Sequence, residues 1–224
     1  MGLNWDLDEG IAYNRFSHLD SIEDRIIYYL LSEKGKSDKQ KELVHTLWRL
    51  LKYSDERCLI NDSEHPLPTF KEIYALVDND NVIQNVKRIF RYPYIEESFT
   101  DQCSLLSVYV DTILPRNHLL ADVNIGIDIL IHNKISNVVN PLYDDKGELL
   151  DSTEGNPIIK MKNRATVFLK TVLALLNGAD VAGVGKFQFN RELNRFVQSK
   201  LGLWNNRNFY GHKIIITCQM SGVE

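Results

Sequence analysis

The chain has 224 residues, 44% of them hydrophobic and 25% charged, with a formal net charge of −4. This is the composition of an ordinary folded protein with enough apolar material for a proper core. The acidic balance excludes a general electrostatic grip on nucleic acid, and no run approaches the ~20 apolar residues of a membrane span.

Residues 1–18 are polar with scattered aromatics (Trp5, Tyr13, Phe16) and read as an arm that is ordered only when something holds it. Trp5 is its natural anchor. The opening M-G-L-N-W-D-L-D-E-G is acidic and lacks the apolar stretch of a signal peptide. A first helix is expected from Ile22 to Glu33, with Ser21 as cap, Asp24 completing the capping pattern and Gly35 as stop. Ile22, Ile26, Ile27, Leu30 and Leu31 form its apolar stripe. A second helix spans Ser37 to Tyr53, with Leu43, Val44, Leu47, Leu50 and Leu51 facing inward. Lys36, Lys39 and Lys41 at its start oppose the helix dipole and read as a solvated face. His65-Pro66-Leu67-Pro68 breaks the helical pattern, and Thr69 with Glu72 opens a short helix through a capping box. A further helical segment is expected around 82–87.

From Arg88 the period changes. Arg88 to Ile95 reads as an edge or extended segment, because Pro93 cannot donate to a central ladder. Ser104 to Leu114 alternates, Pro115-Arg116-Asn117 makes a turn, and Asp122 to Asn133 follows. That last stretch, D-V-N-I-G-I-D-I-L-I-H-N, carries β-branched residues at every second position from Val123 to Ile131. It predicts a strand with one strongly apolar face and one polar face, paired antiparallel with its predecessor. Residues 140–157 form a polar insertion whose Asp144-Asp145-Lys146-Gly147 suits a hairpin tip. A strong helix from Arg164 to Asn177, capped by Asn163 and stopped by Gly178, is placed to cover the apolar sheet face. Strands return at Val184–Arg191 and Phe209–Met220.

The expected fold class is α+β: a helical N-terminal part, then a mostly antiparallel sheet of four or five strands covered by one long helix. The divisions are the arm 1–18, the helical region 19–87 and a core 88–224 carrying the insertion 140–157.

Motifs for chemistry are sparse. Cys58, Cys103 and Cys218 lie far apart without CxxC spacing and read as buried, reduced thiols. Gly183-Val184-Gly185-Lys186 resembles the end of a phosphate loop, but Asp180 and Phe187 stand where glycine and Ser/Thr are required. The simpler reading is a tight entry into a strand. Asp111, Asp122 and Asp128, with Lys134 downstream, suggest the carboxylates of a small Mg-dependent nuclease, but the spacing is loose. The six histidines show no metal-ligand spacing, and His132 reads as a polar cap or interface group. Lys87 to Tyr92 is basic and aromatic, suiting either a nucleic-acid backbone or a docking strand edge.

The order of elements carries a family resemblance. Arg88-Ile89-Phe90-Arg91-Tyr92-Pro93-Tyr94-Ile95, then Ile127-Asp128-Ile129-Leu130-Ile131-His132-Asn133, the helix ending in Asn177-Gly178, Gly183 to Phe189, and Asn208 to Ile216 follow one another. With the helical preface Leu47 to Tyr53, this resembles the neck or tail-terminator type head-to-tail connector proteins of tailed bacteriophages, including ring proteins of crAss-like phages. The resemblance implies a structural virion protein that is not an enzyme and uses no cofactor or metal. It implies a homo-oligomeric ring, of six or twelve copies, in the phage neck or tail, assembled in the host cytoplasm. Partners would be the portal, other neck and tail rings, and double-stranded DNA passing without sequence-specific contact. Trp5, Arg88, Arg91, Tyr92, Asp128, His132, Asp144, Asp145 and Lys146 are the expected interface residues. A single-domain adaptor is the remaining alternative.

Overall fold

The computed structural model describes residues 21–78, 87–93, 101–116, 120–141, 159–189, 201–202 and 207–221. The expected arm with Trp5, the helix expected at 82–87 and the tip Asp144-Asp145-Lys146 lie outside these, save Lys87.

Three helices open the described chain: α1 (Ile22–Leu31), α2 (Asp38–Lys52) and the short α3 (Phe70–Tyr74). Strands β1 (Ile89–Phe90), β2 (Ser104–Pro115), β3 (Leu120–His132), β4 (Asn137–Pro141) and β5 (Ile159–Asn163) precede α4 (Arg164–Leu176). β6 (Asp180–Val181), β7 (Gly185–Phe189), β8 (Leu201–Gly202) and β9 (Phe209–Ser221) follow. The main sheet has seven strands in the order β1-β2-β3-β9-β7-β6, with β8 also pairing β9; β4 and β5 form a separate antiparallel pair. The expected four or five strands are therefore too few. The missing members are β6 and β8, two-residue pieces too short to show a period, whereas β1 falls within the edge segment expected at Arg88 to Ile95. Antiparallel pairing prevails, but β1 runs parallel to β2.

The local signals act as their chemistry dictates. Thr69 and Glu72 form the capping box of α3, and Asn163 accepts the Thr166 amide at 3.0 Å to cap α4. Ser21 does not cap α1 with its side chain; its hydroxyl accepts from Arg25 Nε at 3.2 Å instead. At α2 the capping box is closed from the other side, since the Ser37 amide donates to Gln40 Oε1 at 3.0 Å. Gly178 closes α4 with φ +81, and Gly183 and Gly185 (φ +76 and +112) turn the chain between β6 and β7, the strand-entry role in place of a phosphate loop.

One hydrophobic cluster joins the helices to the sheet. Ile22, Ile26 and Leu30 of α1, Leu47 and Leu51 of α2, and Phe168 and Val172 of α4 pack with Val123, Ile125, Ile127, Ile129 and Ile131 of β3. The apolar sheet face is thus covered by three helices, not one. The opposite face is not solvated either: Asn124, Asp128 and His132 are each 5% exposed or less. A second cluster on that face gathers Phe90, Cys103, Leu105, Leu130 and Phe209. All three cysteines are buried and unbridged, and burial pushes the Cys58 thiol to about 11 and those of Cys103 and Cys218 to about 12. They are inert thiols at neutral pH.

Helix ends are closed by buried cations. Lys36 is not solvated: its ammonium donates to the Ser32 carbonyl at 2.6 Å and to that of Tyr29, and lies 4.0 Å from the Tyr29 ring centroid. It terminates α1, where carbonyls favour a cation, and burial pulls its pKa down to about 8. The end of α2 is closed in the same way by two arginines. Arg88 donates to the Leu51 and Lys52 carbonyls, and Arg164 to those of Leu50 and Tyr53.

Candidate functional site

The polar face of β3 gathers a set of interacting ionisable groups: Tyr109, Asp111, Asp128 and Lys213. Ser107, Asp128 and Lys213 stand abreast on β2, β3 and β9, and Tyr109 and Gly126 face each other in the next row. Gly126 leaves the room that the tyrosine ring occupies, because a Cβ there would come within 2.5 Å of it. Lying across the strand, Tyr109 directs its hydroxyl to the Asp128 carboxylate, 3.2 Å from either oxygen. The Lys213 ammonium sits 5.3 Å from the Tyr109 ring centroid and pairs with Asp111 at 3.2 Å. The β2–β3 register shifts between Val110 and Thr112, so Asp111 is the extra residue of a bulge, a device that re-aims a side chain.

Burial raises Asp128 to about 6, with the nearby Asp111 charge adding to the effect and Lys213 and Tyr109 opposing it. Burial, then the Asp128 charge, pushes Tyr109 to about 12. For Lys213 burial alone would lower the pKa, but Tyr109 and the two carboxylates outweigh it and the value is raised. The Ser107 hydroxyl in the same row is buried with no hydrogen-bond partner among the described residues. This arrangement moves the titration of a buried carboxyl up to about 6.

The linkage can be measured. An unfolded aspartate titrates near 3.9, so burying the ionised form costs nothing below pH 4 and progressively more as pH rises through 6. Asp128→Asn is therefore expected to stabilise the protein by up to ~3 kcal/mol more at pH 8 than at pH 4. Urea melts at both pH values test this; an equal effect at the two would refute it.

The other sequence-derived residues are placed individually. Asp122 pairs with Arg116 at 2.6 Å, away from the Asp111–Lys213 pair. Among the described residues no group of three or more His, Cys, Asp or Glu side chains is arranged to hold a metal ion, so Asp111, Asp122 and Asp128 do not make a metal site. Lys134 offers its backbone amide to His132 Nδ1 at 3.2 Å, and the His132 ring meets Phe209 edge-on at 5.2 Å. Burial, then Lys134, lowers the His132 pKa. Arg91 binds Asp24 at 2.6 Å and the Asp78 carbonyl at 3.0 Å; Tyr92, 42% exposed, donates to Asp78 Oδ2 at 2.7 Å. Arg88 points into the end of α2 rather than outward.

Sequence reasoning passed over the loop 54–68, which is tightly built. His65 lies between Asp55 and Asp62, 2.9 Å from each. Burial opposes its charge, but hydrogen bonds and attraction from both carboxylates raise its pKa. Arg49 holds the Ile60 and His65 carbonyls and Asn61. The signal was a histidine preceded by aspartates at ten and three residues, Asp55 and Asp62.

The two ends of the sheet differ. On the β7 side, the amides of Phe187 and Phe189 bond the Ala179 carbonyl and Asn177 Oδ1. On the β2 side, β1 covers only Leu106 and Ser107, and Glu23 takes the Val110 amide at 3.2 Å. Beyond that, Asp111–Pro115 has β3 alone as partner among the described strands. Ile113 and Leu114 there are 38% and 50% exposed. An uncovered edge with exposed apolar side chains is a template for another chain.

Among the described residues no helix is long and apolar enough to cross a membrane. No curated protein and no solved structure matches the chain. The YomW family model matches residues 45–218, from the middle of α2 through most of β9; the chain therefore belongs to the YomW family, whose name is phage-derived and marks it as phage-related.

Proposed function

We propose that this protein is a structural component of the virion that assembles into a ring in the phage neck, joining portal to tail and lining the DNA passage. The observation that carries this reading is the open β2 edge at Asp111–Pro115, set against the closed edge at β7. Strand addition from a neighbouring copy would cover Ile113 and Leu114, and cyclic closure would satisfy every edge without growing a fibre. Membership of a phage-related family supports the setting. The net charge of −4 suits a conduit that does not grip DNA.

Mass photometry and negative-stain imaging of the purified protein, alone and with portal, test the reading. Closed rings with a central hole are expected, and Leu114→Lys should abolish them while leaving the circular dichroism spectrum intact. A species that stays monomeric in both mixtures would overturn the proposal.

A further inference from the structure

A cleft of about 360 Å³ lies on the outer side of α1, between α3 and the β6–β7 turn. Its walls are aromatic: Tyr28 and Tyr74 are 46% and 38% exposed, with Tyr29 beside them. Its rim carries Lys34 and the Arg25 guanidinium, which also donates to the Ala182 carbonyl at 3.1 Å, against one carboxylate, Asp24, already paired with Arg91; the Lys36 ammonium is turned inward onto the Ser32 and Tyr29 carbonyls. An aromatic cleft with a basic rim suits an extended segment that alternates apolar and acidic residues.

The chain contains such a segment. Leu3-Asn4-Trp5-Asp6-Leu7-Asp8-Glu9 offers three apolar side chains and three carboxylates within seven residues, and it precedes α1. Reach favours the same molecule. Residues 10–20 extend up to about 36 Å, whereas the ten residues of α1 span about 15 Å. The chain can therefore turn back along its own helix. We propose that Leu3–Glu9 docks intramolecularly in this cleft, with Trp5 against the tyrosines and Asp6 and Asp8 facing Lys34 and Arg25.

Disulfide trapping in the full-length protein tests this, because the native cysteines are all buried. Leu7→Cys is combined with Ala182→Cys in the cleft or, as reference, with Met161→Cys, which is 48% exposed on β5. Oxidised glutathione accepts the electrons, and circular dichroism confirms that both variants are folded. The cleft pair should close within single chains on the order of tenfold faster than the reference pair. Adding Asp6→Lys and Asp8→Lys should remove that excess. Equal rates for the two pairs, an excess untouched by charge reversal, or products linking two chains would each overturn the assignment; the last would place a second copy's arm in the cleft.

Discussion

Arg164→Met is expected to lower the free energy of unfolding by ~3–5 kcal/mol. Arg164 opens α4 yet is 0% exposed. Its Nε donates to Ser104 Oγ at 2.8 Å, Nη1 to the Asp55 carbonyl at 2.9 Å, and Nη2 to the carbonyls of Leu50, at 2.9 Å, and Tyr53. One guanidinium therefore ties α4, β2, the loop after α2 and the end of α2 itself. A cation at a helix start is unfavourable on its own helix, but here it meets the negative end of another. Methionine fills much of the volume and leaves four acceptors without their donor; the two in buried bonds, Ser104 Oγ and the Leu50 carbonyl, cost ~1–3 kcal/mol each before relaxation. Arg164→Lys should recover only part, because an ammonium cannot reproduce the planar fork. Equilibrium urea denaturation measures both; a loss under ~1 kcal/mol for methionine would show that water or a neighbour replaces the arginine.

Gly211→Ala is the second large effect. A Cβ at Gly211 would stand 1.7 Å from the Ile129 carbonyl oxygen and 2.7 Å from its carbon. Both belong to the backbone of β3, so no side-chain rotation relieves the contact, and the β3–β9 ladder must part at the Leu130–Gly211 pair. A cost of ~3 kcal/mol or more follows. Gly35→Ala is the control: nothing lies within 4 Å of its added Cβ, and only the positive φ of +73 resists, at ~1–2 kcal/mol. Melting curves showing Gly211→Ala no worse than Gly35→Ala would contradict the close approach.

The same residues explain what was legible beforehand. The alternation from Val123 to Ile131 declares a strand, and the patterns at Ser37–Lys52 and Arg164–Leu176 declare helices, because repeated burial on one face writes a period into the sequence. The buried second face was not legible. Asn124, Asp128 and His132 are polar residue types that mark exposure on average, and their burial depends on what lies over the sheet. Lys36, read as part of a solvated face, misled for a related reason, and the parts played by Arg88 and Arg164 were silent. Their partners are carbonyls, which every residue carries, so no side-chain type in the sequence announces them. The open edge at Asp111–Pro115 was hidden too, since pairing between distant segments leaves no local trace.

The position of β9 sets an order of events during synthesis. It lies between β3 and the pair β7 and β8, and its thirteen-residue register with β3, Leu120 to His132, runs the whole length of that strand. A ribosome makes α1, α2 and the β2–β3 hairpin first, and these can meet early. Until residues 209–221 emerge, however, the β3 backbone lacks its partner along one whole edge. The nascent chain therefore carries an adhesive ribbon for the span of some eighty codons, at ~5–20 residues per second a matter of several seconds. Ribosomes crowded on one message would hold many such ribbons close together, the condition in which unpaired strands associate.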